Sequence, residues 1–170
     1  MKLVLNNPEY NVKVLTTIQN ELQKCEEFYI AVAFITESGI TPLLQNLKEL
    51  EQKNVKGKIL TTDYLAFSQP KALKRLNNLS NIEVRLYQVT DSYGFHPKGY
   101  IFKNTNYYNI LIGSSNLTQK ALTVNMEWNI LTEYRENNEI VSDLSNSFIK
   151  YWNKSRNIDE CIDEYEAYYN

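Results

Sequence analysis

The chain has 170 residues, 43% hydrophobic and 22% charged, with 18 basic and 20 acidic side chains and a net charge of −2. That composition fits one soluble globular domain with mass enough for a core, and it carries no bulk basic signal for nucleic acid. One histidine and two cysteines, Cys25 and Cys161, without metal-type spacing argue against a zinc site and read as free thiols of a reducing cytosol.

The opening residues MKLVLNNPEY hold too short an apolar run for a signal peptide, and no segment approaches transmembrane length, so a cytoplasmic protein without a membrane partner is expected. From Asn11 to Cys25, apolar residues at Val12, Val14, Leu15, Ile18 and Leu22 have helical spacing. Phe28 to Ile35 (FYIAVAFI) is a continuous apolar run, expected as a central strand buried on both faces. Ser38 can cap a helix from about Gly39 to Lys53, with Leu43, Leu44, Leu47 and Leu50 on one stripe. Val55 to Thr62 is the next strand. Ser68 and Pro70 mark a helix start, with Ala72, Leu73, Leu76 and Leu79 inward. Ile82 to Tyr87 is another strand. Strand and helix alternating at this spacing imply right-handed crossovers and a largely parallel sheet.

Beyond Tyr93-Gly94 the sequence reads FHPKGYIFKNTNYYNILIGSSNLTQKALTVNMEWN, from Phe95 to Asn129. His96 and Lys98 are two apart before the run Tyr100, Ile101, Phe102, so in an extended strand both side chains project to one face. Asn104-Thr105-Asn106 reads as a tight turn, and Tyr107 to Ile112 as a second strand, which makes the sheet mixed. That strand runs into Gly113-Ser114-Ser115-Asn116. Leu117 to Leu122 reads as a short helix, and Glu127 opens a strand to Thr132. Val141 to Trp152 is a closing amphipathic helix. Domain boundaries are expected at 1–157, with 158–170 an acidic tail, helical or leading into a further domain. That tail holds five acids and no lysine or arginine, which leaves 15 acids against 18 basic residues elsewhere and mildly permits a polyanion. No glycine-rich phosphate loop is present, so nucleotide hydrolysis is not expected.

His96, Lys98, Ser114, Asn116 and Glu127 together suit phosphodiester cleavage, which needs a nucleophile, an acid and positive charge. His96 can attack phosphorus. Lys98 supplies fixed charge, Asn116 amide donors and Ser114 a hydroxyl. Glu127 can orient the imidazole and favour its charged form. Each residue also has a bland reading. His96 alone can be a capping loop histidine, Ser114 and Asn116 can cap the following helix, and Tyr64, Tyr93 and Phe95 can be loop anchors rather than base-stacking residues.

The constellation resembles the HxK…GSxN motif of the phospholipase D-like superfamily. In particular it is similar to single-motif bacterial nucleases, metal-independent restriction endonucleases, and the phospholipase D-like domain at the N-terminus of bacterial superfamily II helicases. The fuller motif has an aspartate five residues after the lysine, where this chain has Lys103; that departure speaks against the two-motif, lipid-cleaving enzymes. In the nuclease branch a glutamate beyond GSxN takes the supporting role, and Glu127 lies eleven residues past Asn116.

The resemblance implies an α/β phospholipase D-like fold, a mixed, largely parallel sheet with helices on both faces. It implies catalytic His96, Lys98, Asn116 and Glu127, substrate-binding Ser114 and Ser115, no metal and no other cofactor. It further implies a phosphohistidine intermediate and two histidines per site. A chain with one histidine would then act as a homodimer with the active site at the interface. The partner expected is nucleic acid, DNA rather than RNA, with a helicase domain in the same or a partner chain. The competing readings are a non-catalytic DNA-binding module and a lipid phosphodiesterase; the missing second motif and the lack of a membrane-binding helix count against the latter.

Overall fold

Residues 1–90 and 92–170 are described by the computed structural model. The elements run β1 (Lys2–Val4), α1 (Val14–Lys24), β2 (Glu27–Val32), α2 (Glu37–Ile40), α3 (Leu44–Gln52), β3 (Lys56–Thr62), α4 (Pro70–Asn77), β4 (Ile82–Tyr87), β5 (Lys98–Lys103), β6 (Tyr107–Gly113), α5 (Gln119–Thr123), β7 (Asn129–Arg135), α6 (Glu139–Lys154), β8 (Arg156–Asn157) and α7 (Ile158–Tyr169). The strands form one sheet in the order β1-β7-β6-β5-β2-β3-β4-β8.

The sheet is mixed, with helices on both faces. Its parallel part is smaller than the alternation of strands and helices implies. Only β2, β3 and β4 pair in parallel; β5, β6, β7, β1 and β8 all join antiparallel. For β5 and β6 the reason is local: the Asn104–Asn106 turn, where the Asn104 N–H donates to the Tyr107 carbonyl at 2.8 Å, can only reverse the chain.

The two faces are covered unequally. On one face Phe28, Ile30, Ile59, Val84, Tyr100, Phe102 and Leu111 meet the buried stripes of α1, α3, α4 and α7 in the main core. Val14, Ile18 and Leu22 of α1 are fully buried there, each stabilising by about 1.5–3 kcal/mol. The opposite face is covered by α6 alone, through Phe148 and Trp152 on Leu60, Tyr87 and Phe95. So β2 is not buried on both faces as its apolar run suggested: Phe28, Ile30 and Val32 are buried, while Glu27, Tyr29 and Ala31 are half-buried. Beyond the reach of α6, one cross-strand row of this face is bare. Leu3, Ile130 and Ile112 pair in register across β1, β7 and β6 with 56, 45 and 45% exposure.

Two boundaries near the site differ from the sequence reading. The helix expected from Gly39 to Lys53 starts at Glu37 and is broken by a 3-10 turn over Thr41–Leu43, which contains Pro42. Its cap is Thr36, whose Oγ1 accepts the Gly39 N–H at 3.1 Å, not Ser38. Strand β7 starts at Asn129, so Glu127 precedes it in the loop. Residues 158–169 form α7, which buries Ile158, Cys161 and Tyr165 against the main core. Burial also lifts the Cys25 thiol to about 12, so both unpaired cysteines sit as neutral core residues. No helix among the described residues is long and apolar enough to cross a membrane.

Candidate active site

Four strand ends meet where β2 and β6 finish and β5 and β7 begin. A short parallel bridge stitches them: Leu117 N–H donates to the Phe34 carbonyl at 3.1 Å and Thr36 N–H to the Leu117 carbonyl at 3.0 Å. Gly113 allows the approach of β6 to the β7 entry, since a Cβ there would stand 2.2 Å from the Trp128 carbonyl oxygen. His96, Lys98, Ser114, Ser115, Asn116 and Glu127 all lie on these segments.

Lys98 is the first residue of β5 and pairs with Val32 across the sheet. His96 precedes it and is exposed. The Lys98 ammonium contacts His96 Nδ1 and donates to the His96 carbonyl at 3.2 Å. The expected pairing of imidazole and ammonium is thus direct contact. Partial burial lowers the Lys98 pKa, and the negative field of Glu127 opposes that shift.

Asn116 is held by its side-chain oxygen, which accepts the backbone N–H groups of Ala33 and Phe34, both at 3.1 Å. Its Nδ2 donates to no described residue, so the amide presents two N–H donors toward the site. The helix after it is capped by Thr118, whose Oγ1 accepts from the Ala121 N–H at 3.3 Å; Ser114 and Asn116 are not its caps.

Glu127 is bound to the serines, not to the imidazole. Its Oε1 accepts from the Ser114 hydroxyl at 2.7 Å and the Ser115 hydroxyl at 3.1 Å, and no bond joins it to His96 within the chain. The cause is placement: the carboxylate leaves the loop directly against the end of β6, where both hydroxyls project. Ser114 Oγ also accepts the Trp128 N–H at 3.1 Å, and Ser115 is fully buried, so neither serine proton is available to a ligand while Glu127 is charged. Glu127 Oε2 has no partner among the described residues. The same carboxylate, after burial itself, raises the pKa of the Tyr100 hydroxyl, which donates to the Ser115 carbonyl at 2.8 Å.

Asn129 is the residue that motif reading missed. Its buried amide oxygen accepts from Ser114 N–H at 3.2 Å and Ser115 N–H at 3.4 Å, and its Nδ2 donates to Ser115 Oγ at 3.0 Å. It fixes the GSSN turn. The available signal was an asparagine opposite Gly113 in the strand register. Lys103 stands at the far end of β5, where it pairs with Glu27 at 3.5 Å, so the motif's missing aspartate leaves no gap in this site. Phe95 is buried and stacked on Tyr87 at 5.6 Å, an anchor of the loop, whereas Tyr64 and Tyr93 are exposed.

Residues 18–152 match the family described as cardiolipin synthase, phospholipase D-like domain. The chain belongs to the phospholipase D-like family. NucT from Helicobacter pylori has the same fold with TM-score 0.71 at 15% identity, covering 92% of this chain and 97% of its own. Nuc from Salmonella typhimurium, a phospholipase D family member, gives 0.68 at 16% over 92% and 97%. Phosphatidylserine synthase from Haemophilus influenzae gives 0.67 at 13% identity over 92% of this chain and 39% of its own length. The chain therefore corresponds in extent to a single copy of the fold. No curated protein sequence matches it.

Proposed function

We propose that the chain is a phosphodiesterase acting on nucleic acid, a metal-independent DNA endonuclease module that works through a phosphohistidine. The observation that carries this reading is the convergence of a histidine, a lysine in contact with it, and an outward-facing amide at one strand end. Together they supply a nucleophile and three donors around a phosphate without a cation. Among the described residues no three His, Cys, Asp or Glu side chains are grouped to hold a metal ion.

In this mechanism an arriving phosphate draws the Lys98 ammonium off Nδ1 onto its own oxygens. Nδ1 then takes the imidazole proton, and Glu127 Oε2 is the acceptor that we assign to it. His96 Nε2 attacks phosphorus, the P–O bond to the leaving nucleotide breaks, and the leaving oxygen takes a proton from a second His96. Water then attacks the phosphohistidine, the second imidazole takes the water's proton, and the N–P bond breaks. Asn116 donates to the equatorial oxygens as charge builds. The second histidine comes from a second copy of the chain, so the unit is a homodimer. The bare row of Leu3, Ile130 and Ile112 beside the site supports this as the face that a copy would cover.

A plasmid-nicking assay with and without chelator tests the reading. Cleavage should persist in EDTA and vanish in His96→Ala, with folding and DNA binding retained. Activity that needs added magnesium, or full nicking by His96→Ala, would defeat it. A non-catalytic DNA-binding module is the second reading. It is favoured by the fold's presence in TrmBL2, described as an archaeal chromatin protein that binds DNA, at TM-score 0.55 and 16% identity over 92% of this chain and 54% of its own. Binding without nicking would select it. A helicase domain in the same or a partner chain and a cytoplasmic setting are part of the proposal.

A further inference from the structure

The turn after β3 holds two consecutive non-glycine residues in the left-handed region, Leu65 at φ 51° and Ala66 at φ 53°. Residues with a Cβ avoid that region, and such outliers persist only where the surroundings over-determine them. Here they do. Ala66 N–H donates to the Asp63 carbonyl at 2.9 Å, Asp63 Oδ1 accepts the Val89 N–H at 2.9 Å, and Thr62 Oγ1 donates to the Tyr87 carbonyl at 2.9 Å. Where the turn re-enters the core, the Tyr165 hydroxyl of α7 bonds the Ser68 carbonyl.

What this braced turn displays is apolar. Tyr64, Leu65 and Phe67 are 39, 56 and 50% exposed. The Phe67 ring meets Phe34 edge-on at 4.8 Å, and Phe34 meets the His96 imidazole edge-on at 6.5 Å. Tyr64 and His96 also line one cleft of about 340 Å³ with Gly94 and Phe95. Gly94 leaves it open, since among the described residues no atom lies within 4 Å of where a Cβ would stand.

We propose that the Asp63–Phe67 turn is a stacking platform for the nucleobase next to the scissile phosphate, with Tyr64 and Phe67 as substrate-binding residues. The inference rests on the phosphodiesterase reading above and adds a base subsite to it. Every base has a π-face, so such a platform anchors a nucleotide without reading its sequence. A base seated there would hold its phosphate beside His96. The platform gives α7 a function as well, because Tyr165 braces the turn from behind.

The test compares oligothymidylate with an abasic deoxyribose-phosphate chain of the same length. KM is measured for wild type, and binding by fluorescence anisotropy for both wild type and His96→Ala. The platform predicts affinity for the abasic chain roughly ten-fold weaker. Tyr64→Ala with Phe67→Ala should weaken oligothymidylate by a similar factor and leave the abasic chain unchanged, with Phe67→Trp restoring affinity. Equal affinity for both chains in wild type, or equal losses on both in the double variant, overturns the platform. A double variant that loses the dimer instead assigns the turn to a protein contact and also overturns it. If base-dependent binding is seen and cleavage is not, the platform stands and the catalytic reading falls.

Discussion

The side-chain oxygen of Asn116 accepts the backbone N–H of Phe34 at 3.1 Å, and the Ala33 N–H shares the same atom. Two backbone donors on one oxygen settle which way the amide faces, so the N–H₂ end is the one that the proposed mechanism offers to the phosphate. Asn116→Asp keeps the acceptor and removes the donors. It should fold normally and lose cleavage. Asn116→Ala leaves two backbone N–H groups without their acceptor, at a cost of about 1–3 kcal/mol each if water does not replace it. Thermal melts of the pair should therefore separate by several degrees, with Asp the more stable and both inactive.

In the proposed mechanism, Lys98 and Glu127 couple activity to alkaline pH. Burial lowers the Lys98 pKa below its usual 10.5, so cleavage should fail at lower pH than an exposed lysine would allow. Stability moves the other way. Between the lowered folded value and 10.5 the unfolded chain holds more protons, so this residue's contribution to stability rises with pH across that window. Glu127→Gln removes the field that opposes the shift. Its residual cleavage should lose its alkaline limb at still lower pH. A pH–rate profile in which wild type and Glu127→Gln share one alkaline limb would show that Lys98 is not the titrating group.

Two backbone positions near the site should respond oppositely to small changes. Gly113→Ala sets a Cβ against the Trp128 carbonyl and should cost about 1–3 kcal/mol, with the GSSN turn displaced and activity lost. Leu65→Gly relieves a left-handed residue whose side chain is exposed and should gain about 1 kcal/mol. Chemical denaturation of the two variants checks both signs.

Much of this site was legible because its chemistry is written in short spacings. HxK puts the side chains of His96 and Lys98 two residues apart at the entry to β5, where the Lys98 ammonium reaches the imidazole, and GSSN lies where an apolar strand gives out. The partner of Ser114 was not legible, because Glu127 is thirteen residues away and its loop closes only through the β6–β7 pairing. Nor was the unequal cover of the sheet. FYIAVAFI is apolar throughout, so its letters do not reveal that α6 half-shields Tyr29 and Ala31 while Phe28 and Ile30 lie in the main core on the other face. The braced turn at Leu65 and Ala66 was equally hidden, since no glycine or asparagine marks those positions.

The last prediction concerns the second copy of the chain. Leu3, Ile130 and Ile112 form one in-register row on the α6 face of the sheet, beyond the reach of α6, and Trp128 stands exposed just before it at 64%. A two-fold axis brings identical patches together, and this patch ends at Gly113, next to the serines and Glu127. In the proposed mechanism, dimerisation through it brings the two His96 residues to one phosphate. Ile130→Lys places a charge in the centre of the row without touching the core, so the monomer should keep its melting behaviour. Light scattering at micromolar concentration should report twice the chain mass for wild type and one chain mass for the variant, with cleavage lost in parallel. Mixed dimers of wild type and His96→Ala should be nearly inactive, because nucleophile and acid must both be present. An Ile130→Lys protein that is monomeric and cleaves at the wild-type rate would overturn the shared site.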